Sequence, residues 1–409
     1  MRILLVNNFF SPVGGTERVL WDEACLLKER GHEVHFFAMD RKPFLIPDYE
    51  NARFFPQYAS HREEKNPGRF LRISAAFHNR NASLKLKEYL KFLKPDIIHI
   101  HNIHYHLTPS ILQVCADSKI PAVMTLHDNR LLCPSSSYRD SPDFKGFCNT
   151  GNPLVCLKSK CKNNRLSETF VSIAEYYFNR NKIQDSKIRR FITPSLTLLK
   201  LMEKAGLPRE KLAHIHNPIN PAFCDHPPAS QVDDGYFIYV GRLSREKGLH
   251  YLLQAMERST DISLKIAGDG PQEDELKTLV AQLHLKNVDF LGFLPTEKIV
   301  PLVQKARATV LPCHWFETFG LSLVEGLMLG RTAIASNIGA IPEVLDHGNC
   351  GILVPPGDIP ALTAALEDLH ARPEKAWELG EKGRLRVQQL YSPQAHVEKL
   401  LDLYESVLA

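Results

Sequence analysis

Two glutamates eight residues apart, Glu317 and Glu325, bracket the segment His-Trp-Phe-Glu-Thr-Phe-Gly-Leu-Ser-Leu-Val-Glu-Gly at 314–326. Carboxylates at this spacing suit a polar ligand with two hydroxyl-bearing parts, the first gripping a sugar and the second a ribose. Upstream, Ala308-Thr309-Val310-Leu311-Pro312 reads as a buried strand stopped by its Pro. Glu317 therefore falls in a strand-to-helix turn and Glu325 within the first turns of a helix. Gly320 lets backbone approach a ligand closely. The free N–H groups and positive dipole end of that helix suit an anion such as a diphosphate. A purely structural reading competes, because Ser322-Leu323-Val324-Glu325 also matches a capping box in which Glu325 ties back the helix start.

Other strand ends carry compatible chemistry. Gly241-Arg242-Leu243-Ser244-Arg245-Glu246-Lys247-Gly248 sets a planar fork and a point charge beside glycines, an arrangement suited to a diphosphate. A solvated basic turn is the alternative. Gly268-Asp269-Gly270 and Gly292-Phe293 close further strands on the same edge, where their backbone could accommodate a base. Near the N-terminus, Gly14-Gly15-Thr16 opens the first long helix and can present N–H groups to phosphate or sugar, or simply form a tight turn. It is not Gly-x-Gly-x-x-Gly, and no acidic residue is placed for a nucleotide ribose, which disfavours a Rossmann dehydrogenase.

Histidines crowd the stretch His99-Ile100-His101-Asn102-Ile103-His104-Tyr105-His106. Alternation along a strand puts His99 and His101 on one face, so a metal site and a polar cleft wall both arise. No carboxylate stands nearby in sequence, which favours the cleft wall. His127-Asp128 ends another strand and should point into the same crevice. Cys133, Cys148, Cys156 and Cys161 sit in an irregular insertion at 131–170. They read either as a structural zinc site or as packed thiols.

These groups need a scaffold of strand ends. At 409 residues, two domains are expected. Strands are expected at Ile3–Val6, Val34–Ala38, Ile97–Ile100, Ala122–Leu126, Phe191–Thr193 and His214–His216. A second set is expected at Phe237–Val240, Leu264–Ala267, Val288–Leu291, Ala308–Leu311, Thr332–Ala335 and Gly351–Val354. Helical patterns fall between them, as at Trp21–Arg30 before Gly31, Leu84–Leu93 before Pro95, Ala361–Leu369, Glu374–Leu390 and His396–Val407. Near-continuous apolar strands with helical crossovers predict parallel, doubly wound α/β sheets. Residues 217–235 read as a linker without helical periodicity.

With 44% hydrophobic and 23% charged residues the composition is that of an ordinary soluble protein. No apolar run approaches the ~18 residues of a membrane-spanning helix. Met1–Val6 lacks a following cleavage site and reads as a first strand, not a signal peptide. A cytoplasmic protein with mostly reduced thiols is expected. Residues 1–220 carry 33 Lys and Arg against 21 Asp and Glu, whereas the remainder carries 17 against 25. The basic half suggests an anionic membrane surface or a lipid-phosphate acceptor, with a solvated charge imbalance as the alternative. No nucleic-acid-binding motif is present.

The order Gly14-Gly15, His127, Arg242 to Lys247, Gly268-Asp269-Gly270, then Glu317 to Glu325, resembles the retaining glycosyltransferases of family 4. The likeness extends over nearly the whole chain and includes Gly339-Ala340-Ile341-Pro342-Glu343. It implies the GT-B fold, with two Rossmann-like doubly wound domains facing across a cleft. Residues 1–217 would form the acceptor domain with the Cys-bearing insertion, 218–390 the nucleotide-sugar domain, and 391–409 a final helix returning to the first domain. The resemblance further implies that Arg242 and Lys247 neutralise the diphosphate and that Glu325 holds the ribose. Glu317 and the backbone of Phe319-Gly320-Leu321 would hold the donor sugar, which His127 also reaches. Gly14, Gly15, Thr16, Gly268, Gly270 and Phe293 complete the expected donor site.

No metal or other cofactor is expected in that site. The two cations supply the charge that a divalent ion supplies elsewhere, and no Asp-x-Asp pair stands at a suitable place. Similar Cys-bearing segments resemble those of bacterial polysaccharide-assembly members. The expected activity is hexose transfer from a nucleotide sugar, with UDP-glucose the leading donor. The acceptor would be a saccharide or lipid-linked saccharide of exopolysaccharide or cell-envelope synthesis, at the inner membrane face. A nucleotide-sugar 2-epimerase of the same fold and a non-catalytic sugar-nucleotide-binding protein remain alternatives. A phosphorylase is disfavoured, since no pyridoxal-phosphate Lys motif is recognised.

Overall fold

The computed structural model describes all residues except 12–13, 59–77, 136–151 and 163. The described residues divide into two compact units, one holding those up to Pro218 together with His396–Ala409, the other Ile219–Ala395.

The first unit is built on a parallel sheet of strands β1 (Arg2–Phe9), β2 (Glu33–Met39), β3 (Ile97–Ile100), β4 (Ala122–Thr125), β5 (Arg190–Thr193) and β6 (Leu212–His214). Their spatial order is β2-β1-β3-β4-β5-β6. All residues of β3 and β4 are buried. Helices on both faces of a parallel sheet demand that, which is why these strands read as unbroken apolar runs rather than alternating ones. The strands are joined by helices with ordinary stop signals. Asn79 caps the Arg80–Leu93 helix, its Oδ1 accepting from the N–H of Ala82 at 2.9 Å. Lys94 then takes the left-handed conformation that ends it before Pro95.

The second unit repeats the plan with β7 (Phe237–Val240), β8 (Leu264–Ala267), β9 (Val288–Gly292), β10 (Ala308–Leu311), β11 (Ala333–Ser336) and β12 (Gly351–Val354). Their order is β12-β11-β10-β7-β8-β9. Sequential order reverses between β7 and β10, as it does between β1 and β3 in the first unit. At such a switch point the connections leave on opposite faces and open a crevice beyond the strand C-termini, where ligands bind in open α/β sheets. The loops carrying Arg242 and Glu317 follow β7 and β10. The loops carrying Gly14 and His101 follow β1 and β3.

The helix Leu321–Met328 is pinned through Leu323, Val324 and Leu327, each at most 1% exposed. Burying each such side chain contributes roughly 1.5–3 kcal/mol, enough to hold the preceding turn in place. Three regions differ from the sequence reading, the first being the insertion read as irregular, which contains the helix Pro153–Lys158 and the start of the helix Leu166–Gln184. Strand β6 begins at Leu212 rather than His214, since Leu212 supplies the buried end and the chain leaves the sheet beyond His214. The expected linker contains a one-turn helix, Pro221–Cys224, capped by Asn220. From it Ile219 and Phe223 enter the core of the second unit. Among the described residues, no helix is long and apolar enough to cross a membrane.

Candidate active site

In the second unit, the turns after β7 and β10 meet directly. The Lys247 Nζ donates to Glu317 Oε2 at 2.6 Å, with both side chains about one-fifth to one-quarter exposed (25% and 18%). Burial opposes ionisation of Glu317. The Lys247 charge and the backbone N–H groups of Phe319 and Thr318 outweigh it and hold the carboxyl below its usual value. Burial likewise opposes the charge on Lys247, but Glu317 beside it raises the ammonium above its ordinary range. Burial pushes the neighbouring Cys313 thiol up to about 12, so it stays protonated. The result is an ionised pair at the switch point, with Arg242 exposed on the adjoining turn.

Backbone packing fixes that turn. The Tyr239 hydroxyl donates to the Arg242 carbonyl at 2.7 Å, and the N–H of Leu243 donates to the Asp269 carbonyl at 2.7 Å. A side chain at Gly268 would stand 1.9 Å from the Gly241 carbonyl oxygen, so only glycine allows the two loops this close. Gly320 sits at φ 95° as the residue preceding the Leu321–Met328 helix, a conformation L side chains rarely adopt. It turns the chain so that Glu317 precedes, and the helix N-terminus follows, the same bend. The helix has no side-chain cap. Ser322 lies inside it, so the capping-box reading of Ser322 and Glu325 does not hold, and Glu325 is buried (6% exposed) in the helix.

The first unit has its own polar assembly at strand ends. Asn7 ties two loops together: its amide donates to Glu17 Oε1 at 2.9 Å, and its Oδ1 accepts from the Asn102 N–H at 3.0 Å. Burial raises the Glu17 carboxyl despite that bond from Asn7. Glu17 lies one residue beyond Gly14-Gly15-Thr16, on the first turn of the helix Gly15–Glu29. At the end of β4, His127 Nε2 lies 2.9 Å from His101 Nδ1, the two rings stacked. Burial, followed by His101, lowers His127 to about 3, so it is a neutral hydrogen-bonding group at physiological pH. Beside it, Arg130 Nε donates to Asp128 Oδ2 at 3.2 Å, and its guanidinium lies 3.9 Å from the centre of the Tyr105 ring. Lys162 Nζ donates to the Tyr105 hydroxyl at 3.2 Å.

Comparison with known proteins agrees with this geometry. A model described as Glycosyltransferase Family 4 matches residues 13–223, and one described as Glycosyl transferases group 1 matches 225–386. The chain belongs to glycosyltransferase family 4. The glycosyltransferase MJ1607 of Methanocaldococcus jannaschii is 32% identical over 375 residues, covering 87% of this chain and 85% of its own. The O-antigen chain mannosyltransferase C of Escherichia coli is 26% identical over 419 residues, covering 100% and 99%. Among solved structures, Anabaena HepE in complex with UDP and glucose superposes with a TM-score of 0.66 at 18% identity, covering 99% of this chain and 100% of that one. Two parallel-sheet α/β units and such neighbours are the GT-B fold, and the activity is glycosyl transfer.

Within this glycosyltransferase the expected donor residues are distributed unevenly. Lys247 and Glu317 touch, and Gly268 backs the Arg242 turn. Gly270 packs on Leu243, its missing side chain leaving room for that residue's carbonyl. Phe293 is 73% exposed beyond β9, whereas the Phe319 ring is 2% exposed and packs edge-on against Tyr391. Phe319 therefore offers only its backbone to a ligand. Leu321 is half-buried at the helix start. Gly14, Gly15, Thr16 and His127 belong to the first unit.

One sequence expectation is corrected. His99 and His101 are no cleft wall: they are 0% and 1% exposed. A carboxylate does partner them, because Glu23 of the Gly15–Glu29 helix lies 3.3 Å from His101 Nε2 and 3.6 Å from His99 Nδ1. The ligating atoms of Glu23, His99 and His101 all lie within 4.8 Å of one another. Both nitrogens of His99 are nonetheless taken by hydroxyls, Tyr404 Oη and Thr125 Oγ1, each at 2.7 Å. The signal for Glu23 was a carboxylate on the apolar stripe formed by Leu20, Ala24 and Leu27. Of the cysteines, Cys156 and Cys161 pack with Ile173 and Tyr176, and Cys133 Sγ lies 3.3 Å from Ser135 Oγ. Cys148 lies outside the described residues. Among those described, no cluster with metal-binding spacing contains a cysteine.

Glu175, 6% exposed, gives a pH-dependent prediction. Burial raises its carboxyl to about 7, although Arg130 and Lys162 counter it. A group whose folded value lies above its unfolded value of 4.5 contributes stability that is fully present below pH 4.5. That contribution is lost as pH rises through 7. Glu175→Gln removes the ionisation and keeps an acceptor for Asn179, whose amide donates to Glu175 at 3.4 Å. The variant should therefore be more stable than the wild type at pH 8, by at most about 3 kcal/mol, and by much less at pH 4.5. Denaturant melts at the two pH values check this; an equal difference at both would remove the ionised carboxylate from the account.

Proposed function

We propose that this glycosyltransferase is a retaining hexosyltransferase that uses a nucleoside-diphosphate sugar, with UDP-glucose the leading candidate. The product is a cell-envelope or exported polysaccharide, with a saccharide or lipid-linked saccharide as acceptor. The observation that carries the reading is the Lys247–Glu317 ion pair at the β7/β10 switch point, with Arg242 on the adjoining turn. Two cations beside a helix N-terminus stabilise a departing diphosphate, and a carboxylate beside them takes hydrogen bonds from donor-sugar hydroxyls. Glu325, from the same helix, is assigned to the ribose, and the loops with Gly268 and Gly270 to the base. His127, neutral, is assigned to the donor sugar, with Gly14, Gly15 and Thr16 at the end of β1 contributing backbone N–H groups.

The relation to an O-antigen chain mannosyltransferase supports the polysaccharide reading, and the likeness to HepE with UDP and glucose supports a uridine nucleotide. Because Arg242 and Lys247 supply the charge that the leaving group needs, no divalent ion is assigned a catalytic role. Retention is proposed because no residue of the matched motifs is assigned as a base on the side opposite the leaving group. The basic first half supports a reaction at the cytoplasmic face of an anionic membrane, where a lipid-linked acceptor would be presented. The test is turnover of a panel of sugar nucleotides by chelator-treated protein, with the anomeric configuration of the first-formed product read by NMR.

A further inference from the structure

The helix Leu166–Gln184 inverts the usual amphipathic arrangement. Its buried face carries Thr169, Ser172, Glu175 and Asn179 beside Ile173, Tyr176 and Ile183. Polar members of that face are bonded within the unit. Thr169 Oγ1 donates to the Arg165 carbonyl at 2.8 Å and accepts from the Lys162 N–H at 3.1 Å, and the Ser172 hydroxyl donates to the Pro134 carbonyl. Leu166, Phe170, Tyr177 and Phe178 are left outside, between 41% and 63% exposed. Positions i, i+4, i+8 and i+11 share one face of a helix. Here they hold Leu166, Phe170, Ala174 and Tyr177, with Phe178 alongside. From Leu166 to Phe178 the strip is about 18 Å long. Of the twelve large apolar side chains exposed among the described residues, five lie between Leu154 and Phe178, so this is a concentration rather than the ordinary scatter of single exposed residues.

The strip lies in a basic stretch. Residues 153–190 hold nine Lys and Arg against three Asp and Glu. Glu175 is buried on the opposite face, Glu168 Oε1 accepts from Arg165 at 3.0 Å, and Asp185 is the C-cap, so no acid stands within the strip. At its edge, Lys182 Nζ lies 4.0 Å from the centre of the Phe178 ring. On the preceding helix, Pro153–Lys158, Leu154 and Lys158 are both exposed and stand four residues apart, on one face. An apolar strip edged by lysine and aromatic side chains suits a helix lying in a bilayer surface. The rings reach the acyl boundary and the ammonium groups stay among the headgroups. A second copy of the chain would set this basic stretch against itself, whereas an anionic surface complements it.

We propose that the exposed face of the Leu166–Gln184 helix, through Leu166, Phe170, Tyr177 and Phe178, inserts into the headgroup layer of an anionic lipid bilayer and docks the enzyme there. The proposal deepens the membrane reading given above, and rests on it, by naming the surface that makes contact. The two differ in a measurable way. Charge alone releases a protein from headgroups as salt rises, whereas inserted apolar side chains keep part of the hold after the charges are screened. The inner face of the same helix adjoins the strand end that carries His127. Glu175 interacts there with Arg130 and Asp128, and Lys162, just before the helix, donates to the Tyr105 hydroxyl. A bilayer on the outer face would therefore present a lipid-linked acceptor about 10 Å away, one helix diameter, from that strand end.

The experiment is flotation of the full-length protein with vesicles of phosphatidylcholine, alone or mixed equally with phosphatidylglycerol. The wild type should float with the mixed vesicles, far less with the neutral ones, and should be only partly released by high salt. Phe170→Ser/Phe178→Ser should lower the partition coefficient by about a hundredfold. Its thermal midpoint and its release of UDP from UDP-glucose in vesicle-free buffer should stay those of the wild type. Phe178→Trp supplies a reporter that decides the matter even if the double variant does not fold. Its emission should shift to the blue and be quenched by brominated lipid, whereas Val232→Trp, at an exposed position of the second unit, should show neither change. Equal quenching of the two tryptophan variants overturns the proposal, as does a double variant that floats like the wild type. So does a wild-type dimer that excludes vesicles and is abolished in the double variant, since the strip would then join two copies. Wild-type protein that releases UDP but does not float rejects the surface alone. Flotation by protein that turns over no sugar nucleotide rejects the transfer reading and leaves the surface standing.

Discussion

Glu317→Ala is expected to reduce transfer by about 10²- to 10³-fold, as when one transition-state hydrogen-bonding group is removed from a preorganised site. The structure adds a distinguishing feature. Glu317 occupies the ammonium of Lys247 at 2.6 Å, and removing the carboxylate releases that ammonium. Binding of the free nucleoside diphosphate should therefore hold or tighten while transfer collapses. A loop that had merely come apart would lose both together. Calorimetry with UDP alongside a transfer assay separates the outcomes, and parallel loss of binding and turnover would reduce Glu317 to a structural anchor.

The double variant Arg242→Ala/Lys247→Ala has the second large expected effect. Two charge-assisted contacts to phosphate disappear, and truncating a charge partner in such a site typically costs about 2–5 kcal/mol. Affinity for UDP and for the sugar nucleotide should fall together, by roughly a hundredfold or more, since 1.4 kcal/mol is tenfold. The contributions should be unequal. Arg242 is exposed, so its loss is a loss of binding alone. Removing Lys247 also leaves the Glu317 carboxylate beside Cys313 without its counter-charge, which raises its pKa. The Lys247→Met variant should therefore recover part of its turnover as pH rises and Glu317 ionises again. Unchanged UDP affinity in the double variant would mean that both residues belong to a solvated turn.

Much of the scaffold was legible from short apolar runs. Strands β7, β8, β10 and β12 begin and end where the runs do, because parallel strands buried on both faces are near-continuous apolar runs, and Lys265 of β8 and Thr309 of β10 lie inside their strands rather than at the ends. The loop positions of Glu317, Lys247 and Arg242 were legible for a related reason: each lies in the glycine-marked loop that follows such a run. What sequence could not provide was tertiary pairing. His99 and His101 suggested a wall because their carboxylate sits on a helix far earlier in the chain, and their hydroxyl and imidazole neighbours, Tyr404 and His396, lie at the far C-terminus. Nothing local pointed to the other end of the chain.

Shorter-range misreadings had local causes. The helix at Pro221–Cys224 is too short to show a period, although Asn220-Pro221 is the signature of a cap followed by a first-turn proline. Glu325 matched a capping box by spacing alone. The turn instead uses the φ of Gly320 to start the helix at Leu321, one residue before Ser322.

The central claim is that a cationic switch-point site releases a nucleoside diphosphate and passes the sugar on with its configuration kept. The most direct measurement is NMR of the first-formed product from an α-linked sugar nucleotide, using protein stripped of divalent ions by a chelator. The account predicts an α linkage, formed at an undiminished rate with release of the nucleoside diphosphate. A β-linked first product, or transfer that stops on chelation and returns only with a divalent ion, would contradict it.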